Sequence, residues 1–547
     1  MSRLTSVTGP EANETIRYLY DAVGNRLTMT DQDGYTSSYY YDTVNRLIKL
    51  VDVNGKITSY SYDNTGNLAS KFYPNGINTA YSYDNMDRLT GIASPAVSYS
   101  YEYNAAGMRT ASNSGANSYK YAYDSVNRLV SEVLTKNRAS SYVNEFAYDG
   151  MGNRFTALNN EFSSTGKSTI TNIAYSNNAD NSLLKAQSIK NKQTPYVSYN
   201  YDVNGNMLSK TEYTSQKAKT GKTTSYVYDY ENRLVEIDYP TGSSTLYAYD
   251  GDGKRVKEIS GTNVTTYLYD GMNVIIERNT SGTTLYSYTR GVSNGGGISG
   301  IISMNKYSTK HKLSSIWYYH YDGSGNVVAL TNTTGKVVQT YSYDAYGNLL
   351  AKTRSSPNSY MFSTKEYDSK SGLYYFGARY YDPEIGRWLS KDPLGMIDGP
   401  NMYLYCLNNP IVFIDPFGYC KKSWWGPENM WWQYLYNDGE GFTGSTWGER
   451  FWDNFQKTNE MVPGLLAPTG AGFITGQGTA NMLDTITIRD WYKIGFGGAT
   501  MGAATFTTLE TGIIVGGTIV INNAIVGVVW EAGVAVGSAI RATTTSE

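Results

Sequence analysis

Residues 36–93 read TSSYYYDTVNRLIKLVDVNGKITSYSYDNTGNLASKFYPNGINTAYSYDNMDRLTGIA. A Tyr-Asp pair closes an alternating run three times here, at Tyr41-Asp42, Tyr62-Asp63 and Tyr83-Asp84, with a spacing of 21 residues. Alternation with period 2 is the pattern of a half-buried strand. The Asp, followed by Gly, Asn or Asp and then Arg-Leu or Asn-Leu, is turn chemistry. Strand, turn and second alternating run make a β-hairpin. One hairpin cannot bury its own face, so a repeating hairpin predicts neighbours stacked side by side into a long antiparallel sheet.

Working outward, the pattern begins at Tyr20-Asp21 and returns at Tyr103-Asn104, Tyr123-Asp124, Tyr148-Asp149, Tyr201-Asp202, Tyr228-Asp229, Tyr249-Asp250, Tyr269-Asp270, Tyr321-Asp322, Tyr343-Asp344 and Tyr367-Asp368. Residues 18–371 are therefore expected to be almost all strand. The period breaks at 158–200 and 289–315, which read as longer loops or irregular strands, with Gly295-Gly296-Gly297 a flexible point. The tyrosines read as packing one face while their hydroxyls reach water or backbone. An exposed, sugar-binding row of rings is the alternative. Each turn carries too few carboxylates to suggest calcium, and no metal or cofactor is expected.

After the repeats, residues 372–418 read GLYYFGARYYDPEIGRWLSKDPLGMIDGPNMYLYCLNNPIVFIDPFG. Asp382-Pro383, Asp392-Pro393, Gly399-Pro400, Asn409-Pro410 and Asp415-Pro416 are corners between short aromatic runs. They predict a folded-back plug of short strands and turns, in which the aspartates need do no more than cap turns. The Gly-x-x-Tyr-x-Gly-x-Arg-Tyr-Tyr-Asp-Pro run, Gly-Arg-Trp, Asp392-Pro393-Leu394-Gly395, Asn401-Met402-Tyr403-Leu404-Tyr405, Asn408-Asn409-Pro410 and Asp415-Pro416-Phe417-Gly418 together resemble the core-associated region of Rhs/YD-repeat proteins. That family includes polymorphic toxins, toxin-complex C subunits and, more distantly, teneurins.

The resemblance covers about 18–418. It implies a mainly β fold, in which hairpin repeats spiral into a hollow shell closed by the plug. It also implies an aspartyl-protease-like site of Arg379, Asp392 and Asp415 that cuts the chain once, after Tyr419 and before Cys420. Two carboxylates held close cannot both ionise, so one keeps a proton while the other can activate water. Leucine is usual in the family where Tyr419 stands. The expected domains are a repeat shell over 1–371, a core-associated plug over 372–418 and a variable effector over 419–547.

Composition shifts after Gly418. Eight of the 10 tryptophans lie beyond it, but only four of the 53 tyrosines. This tail has no histidine, the chain's two being His311 and His320. That weighs against zinc enzymes, histidine-based nucleases and Ser-His or Cys-His hydrolases. Its seven Lys/Arg against eleven Asp/Glu make a poor grip for phosphates, and no nucleic acid is expected as partner. Residues 461–483, 494–509 and 511–530 carry no charge. A bilayer core takes about 20 apolar residues of helix. Gly498 and Gly502, Gly512 and Gly516, and Gly533 and Gly537 have the spacing that lets helices approach in lipid. Tryptophans such as Trp424, Trp425, Trp431 and Trp432 suit an interface. A glycine-rich, possibly helical, membrane-active tail is the leading expectation. β-strands, with Asn522-Asn523 as a hairpin turn, are the alternative.

Three functions follow. The first is an Rhs-type toxin whose tail disrupts or perforates the target-cell membrane. The second is the same carrier with an enzymatic tail using carboxylates such as Asp484, Asp490, Glu510 or Glu531. The third is an adhesive, carbohydrate-binding repeat protein. The first implies a membrane-located immunity protein and a secretion-system or toxin-complex delivery component as partners. Net charge is −2 and the cysteines are two, Cys406 and Cys420, so neither nucleic-acid binding nor a disulfide framework is indicated. No signal peptide is visible at the N-terminus. Secretion or injection by a specialised system is expected, with the chain either the end of a longer protein or delivered by other machinery.

Overall fold

The computed structural model describes residues 3–8 and 15–419, apart from 116, 138, 163–167, 189–194, 216, 292–299, 310–311 and 354–355, together with 422–423, 512–515, 518–521 and 524–527. The chain divides into two compact units, and everything up to Ser423 belongs to the first. Among the described residues, 31 strands from Ser6–Thr8 to Leu349–Thr353 form one antiparallel sheet. Each strand pairs with the next in sequence, and the first does not pair with the last, so the sheet is an open meander rather than a closed barrel.

The repeat sequence explains the hairpin. In the second copy, Asp42 N donates to Arg46 O (2.9 Å) and Asn45 N donates back to Asp42 O (3.1 Å). The Asp42 carboxylate accepts from Val44 N (3.0 Å) and Arg46 N (2.9 Å), which fixes the turn before any partner strand arrives. The fourth turn residue sits at positive φ, as in Asn45 (64°), Gly66 (97°) and Asp87 (58°), which restricts it to Gly, Asn or Asp. A register shift between Tyr40 and Tyr41 inserts the extra residue of a bulge.

That bulge re-aims the tyrosine next to the turn. Tyr41 OH donates to Arg26 O (3.0 Å), Tyr62 OH to Leu47 O (2.8 Å), Tyr83 OH to Leu68 O (3.0 Å) and Tyr249 OH to Leu234 O (2.6 Å). Each repeat is thus tied to the carbonyl that follows the previous turn. The tyrosine two residues earlier fills the core, as Tyr39, Tyr60, Tyr199 and Tyr247 do. The arginine after the turn pairs with its own turn aspartate and covers the next repeat's tyrosine. Arg46 lies 2.8 Å from Asp42 and 4.6 Å from the centre of the Tyr62 ring. Arg88 and Arg128 repeat the arrangement. These tyrosines pack one face with their hydroxyls on backbone carbonyls.

The meander then lies back on itself. Tyr18 OH donates to Asp270 Oδ1 (2.9 Å), Tyr73 OH to Tyr319 O (2.7 Å), and Gly323 N to Tyr101 OH (2.6 Å). Residues some 220–250 apart therefore meet repeatedly, which is a spiral whose second pass covers the start of the first.

Of two expectations, the first takes its irregular-strand form and the second needs correction. The segments 158–200 and 289–315 are, where described, mostly long strands. Arg154–Phe162 pairs with Ser168–Asn177, and Ile301–Thr309 with Lys312–Tyr321. These are lengthened hairpins of the sheet, the second with register shifts at Lys306/Tyr307 and Tyr307/Thr309; Gly295–Gly297 lie outside the described residues. Within 511–530 the twelve described residues are not helical. Gly512–Val515, Thr518–Ile521 and Ala524–Gly527 pair as an antiparallel sheet, with Ile521 opposite Ala524. Branched Ile and Val favour that extended pairing. Among the described residues, no helix is long and apolar enough to cross a membrane.

The stretch after the spiral folds into short strands and turns, and it begins at Glu366, a few residues before the expected boundary at 372. Glu366–Asp368, Leu373–Tyr375, Tyr380–Asp382 and Arg387–Trp388 form a small antiparallel sheet, followed by single helical turns at Met396–Asp398 and Cys406–Asn408. Tyr374, Phe376, Tyr381, Trp388 and Tyr405 form an aromatic core with Tyr343 and Phe362 of the preceding chain. The plug seats on the turns of the repeats. Asn408 Nδ2 donates to Gly152 O (2.7 Å), Asn409 Nδ2 to Asn127 O (2.7 Å), Tyr403 OH to Gly205 O (2.8 Å), and Arg387 to Asn153 and Asn181.

Candidate functional site: a buried arginine between two aspartates

The three residues expected to form a site are brought together. Arg379 lies just before the strand Tyr380–Asp382, Asp392 opens the turn to Gly395, and Asp415 opens the turn to Gly418. Arg379, Asp392 and Asp415 are 3%, 8% and 2% exposed, so each charge depends on the others. One nitrogen, Arg379 Nη2, is 2.8 Å from Asp392 Oδ2 and 3.3 Å from Asp415 Oδ2. The two carboxylate oxygens are therefore within about 6 Å of each other, the most those two distances allow.

The rest of the guanidinium is spent on backbone. Nε donates to Gly418 O (2.6 Å) and Nη1 to Met402 O (3.2 Å). The guanidinium lies 4.2 Å from the centre of the Trp388 ring, which fixes its plane. Asp415 Oδ1 accepts from Phe417 N (3.3 Å), Gly418 N (2.8 Å) and Tyr419 N (3.1 Å). Asp415 thus grips the backbone that leads to the Tyr419–Cys420 bond. Asp392 is less enclosed and less satisfied; its Oδ1 accepts only Leu394 N (2.9 Å). Burial pushes the Asp392 carboxyl up to about 6 against the pull of Arg379, with Asp415 adding to the rise. Burial also raises Asp415, opposed first by Arg379 and then by the Gly418 amide.

The Asp-Pro-Phe-Gly motif has a geometric reason to end in glycine. Gly418 has φ 76°, and a Cβ there would lie 3.1 Å from Arg379 N. Gly377 faces it from the other side, and its own Cβ would meet Phe417 O at 3.3 Å. These glycines, the Trp388 platform and Lys365 were not singled out from the sequence. Lys365 stands 5.2 Å from the centre of the Phe417 ring, and burial lowers its ammonium to about 7. The glycines of Gly-x-Arg and Asp-Pro-x-Gly were the available signal for a close backbone approach.

Tyr419 is described, and burial raises its hydroxyl. Cys420 lies outside the described residues, as do Gly498, Gly502, Gly516, Gly533 and Gly537 and the carboxylates Asp484, Asp490, Glu510 and Glu531. Gly512 begins a strand. Beyond the expected bond, Lys422–Ser423 pairs back onto Phe413–Ile414, with Phe413 opposite Ser423.

Comparison with known proteins agrees with the fold. The model for RHS repeats matches residues 41–76 and 65–96, and the model for the teneurin YD-shell matches residues 307–405. The tRNA3(Ser)-specific nuclease WapA of Bacillus spizizenii is 31% identical over 309 residues, which cover 54% of this chain and 11% of that protein. Toxin subunit YenC1 of Yersinia entomophaga is 52% identical over 68 residues, covering 12% of this chain and 7% of that protein. The chain thus spans only about a tenth of the length of these relatives. The solved structure of TcdB2-TccC3-Cdc42 aligns over 76% of this chain and 28% of that chain, at 17% identity and a TM-score of 0.39.

Proposed function

We propose that this chain, with its Rhs/YD repeats, is the carrier of a toxin, cutting itself once between Tyr419 and Cys420 to free the effector that follows. The observation that carries the reading is the single Arg379 nitrogen set between the Asp392 and Asp415 carboxylates, with Asp415 also holding the Tyr419 amide.

In this reading the groups divide the work. Arg379 and three backbone amides keep Asp415 in place and favour its charged form, so it fixes the segment that is cut. Asp392, with the freer carboxyl, holds the proton that the leaving nitrogen receives. The water oxygen bonds to the Tyr419 carbonyl carbon and the bond to the Cys420 nitrogen breaks. One carboxylate takes the proton from water and the leaving nitrogen receives one, so the products are a carboxyl at Tyr419 and an amine at Cys420. Trp388 and the plug's aromatic core keep the pair dry and oriented. The strand pairing of Lys422–Ser423 with Phe413–Ile414 supports a cut tail that stays with the carrier.

The test is mass spectrometry of the full chain. Fragments of 1–419 and 420–547 are expected, with none from Asp392→Asn or Asp415→Asn. If either variant is cut as fully as the parent, the aspartyl mechanism is refuted.

For the tail, the proposed activity is disruption of the target-cell membrane, resting on the uncharged segments 461–483, 494–509 and 511–530. The strand pairing of the described residues at 512–527 speaks against a pair of helices there. The second reading is an enzymatic tail, favoured by a relative whose name gives it as a tRNA nuclease. Expression of 420–547 in bacteria decides between them. Collapse of the membrane potential supports the first. Degraded RNA with the potential intact supports the second. On either reading, the delivery component, the immunity protein and secretion or injection belong to the proposal. The likeness to a toxin subunit supports the delivery component.

A further inference from the structure

The two passes of the spiral meet along a seam. On the first pass it involves the strands Leu68–Phe72 and Asn78–Tyr83 with the turn between them, and on the second the strands Lys312–Tyr321 and Val327–Thr331. Tyr73 OH donates to Tyr319 O (2.7 Å), and Asn75 Nδ2 donates to Thr331 Oγ1 and Asn332 O, both at 2.9 Å. Within the seam lie two basic side chains, Lys71 and His320, each 1% exposed. Lys71 Nζ is 4.7 Å from the centre of the Tyr73 ring and 5.9 Å from that of Tyr321. The Tyr73 ring is in turn 4.8 Å from the imidazole of His320. One tyrosine thus touches a lysine of its own pass and a histidine of the other.

Among the described residues neither base has an anion beside it. His320 Nε2 shares a hydrogen bond with Thr331 Oγ1 (2.8 Å), and its Nδ1 has no partner. Thr79 stands opposite Lys71 in the sheet and offers a hydroxyl, not a charge. The titratable groups around the pair are Tyr60, Tyr73, Tyr81, Tyr318, Tyr319 and Tyr321, and burial raises every one of their hydroxyls, so all are neutral. Two charged groups lie further out. Arg290 acts on Tyr321 and is itself a cation, and Asp52 acts on Tyr318. The Asp52 carboxylate accepts from Asn54 N and Lys56 N, both at 2.8 Å, within its own turn. A buried charge without a counter-ion is costly, so this packing suits the two bases only while they are uncharged.

We propose that the seam is an acid-sensitive closure: protonation of Lys71 and His320 parts the second pass of the spiral from the first. The inference rests on the fold and is independent of the cleavage reaction. Burial lowers the Lys71 ammonium from 10.5 to about 7, and burial followed by Lys71 lowers the His320 imidazole from 6.5 to about 3. A parted seam returns both groups to water and to their ordinary values, so the open form binds more protons. Stability drawn from neutral Lys71 is lost as pH falls from 10.5 to about 7, and that drawn from neutral His320 as pH falls from 6.5 to about 3. Within either window one pH unit changes the opening equilibrium about tenfold. Between pH 7.5 and 5, His320 then contributes about 30-fold and Lys71 about fourfold. Asp52 acts the other way, since burial raises its carboxyl and acid therefore favours its folded form. Loss of the seam in acid falls to the two bases.

Hydrogen exchange of the full chain, read by mass spectrometry and corrected for the intrinsic rate at each pH, tests this. From pH 7.5 to 5, protection over 68–83 and 312–331 is expected to fall at least tenfold more than over 234–249, which packs in a separate cluster. Lys71→Met and His320→Gln together remove both titrations, and the excess loss is expected to drop below tenfold. An excess below tenfold in the parent, or one of tenfold or more in the double variant, overturns the proposal. Should the double variant fail to fold, the parent arm still decides, joined by His320→Gln alone. That variant is expected to shrink the excess at least fivefold, and an unchanged excess overturns the proposal.

Discussion

Arg255 is the residue whose loss should cost the first unit most. It is 1% exposed, on the strand Arg255–Ser260, and reaches out of the spiral into the plug. Its guanidinium pairs with Glu366, the first residue of the plug sheet. It also lies 3.5 Å from Glu258 and 3.3 Å from the Tyr380 hydroxyl. The rings of Tyr375 and Tyr267 cover it at 4.4 and 4.7 Å. Arg255→Met keeps the bulk and removes the charge, leaving Glu366 buried without its cation. Breaking a buried pair from one side costs about 3–5 kcal/mol. Amide exchange over 366–388 should then be roughly 100- to 5,000-fold faster, if those amides open with the plug. The second change Glu366→Gln removes the stranded charge and should recover at least half of the loss in free energy. Acid should help in the same way. Burial already raises the Glu366 carboxyl, so the folded state binds that proton more tightly than the unfolded chain does. Stability drawn from it is present at low pH and lost as pH rises through the folded value, and without Arg255 that loss grows. Exchange less than about tenfold faster in Arg255→Met, or a double variant no better than the single, would refute the reasoning, since a single plug-to-spiral contact of ordinary strength would do no more.

Three further outcomes are expected. Tyr62→Phe deletes the hydroxyl that donates to Leu47 O and should cost about 1–2 kcal/mol, read as faster exchange confined to the strands on either side. Gly418→Ala forces a left-handed backbone and a contact with Arg379 N, and should abolish appearance of the 1–419 fragment while the spiral's circular dichroism is unchanged. With Asp392 held at about 6, and with Asp415 taking the proton of the attacking water while the protonated Asp392 supplies the one the leaving nitrogen receives, that form is lost as pH rises, so the first-order rate of cleavage on refolding should fall progressively above pH 6; a rate that climbs from pH 6 to 8 excludes Asp392 as that donor.

Much of the fold was legible because its rules are local. The 21-residue period, the turn aspartate and the Gly or Asn at positive φ act within a few residues, and each hairpin carries all of them. The tyrosine beside the turn was legible as packing, but its partner was not. Tyr62 seeks a carbonyl 15 residues upstream, and that pairing exists only once the neighbouring hairpin is in place. The second pass was not legible at all. Nothing near Tyr18 points to Asp270, and nothing near Glu132 points to Ala345. The same holds for the lengthened hairpins, whose sequences lose the repeat while their strands still pair. The candidate site was legible through the likeness of its motif, whereas Trp388 beneath the guanidinium and the backbone grip on Tyr419 needed the geometry.

The placement of the site makes cleavage a report on folding. Arg379, Asp392 and Asp415 come from separate corners of the plug, and no two of them are neighbours in sequence. What brings those corners together is the plug's seat on the repeats: Asn127, Gly152, Asn181 and Gly205 on the first pass, with Arg255 holding Glu366 at the plug's entry. Those turns span nearly 80 residues of spiral and must already be stacked to present their carbonyls together. Local hairpins form readily, while contacts over such separations carry the larger entropic cost and come late. The carboxylate pair is therefore among the last parts of the unit to assemble. An unseated plug would leave Asp392 and Asp415 apart, each hydrated and ionised, with no shared environment to hold a proton on one of them. On the proposed mechanism, then, the bond after Tyr419 is cut only in a chain whose spiral is closed. An effector still joined to its carrier marks a carrier that has not finished folding.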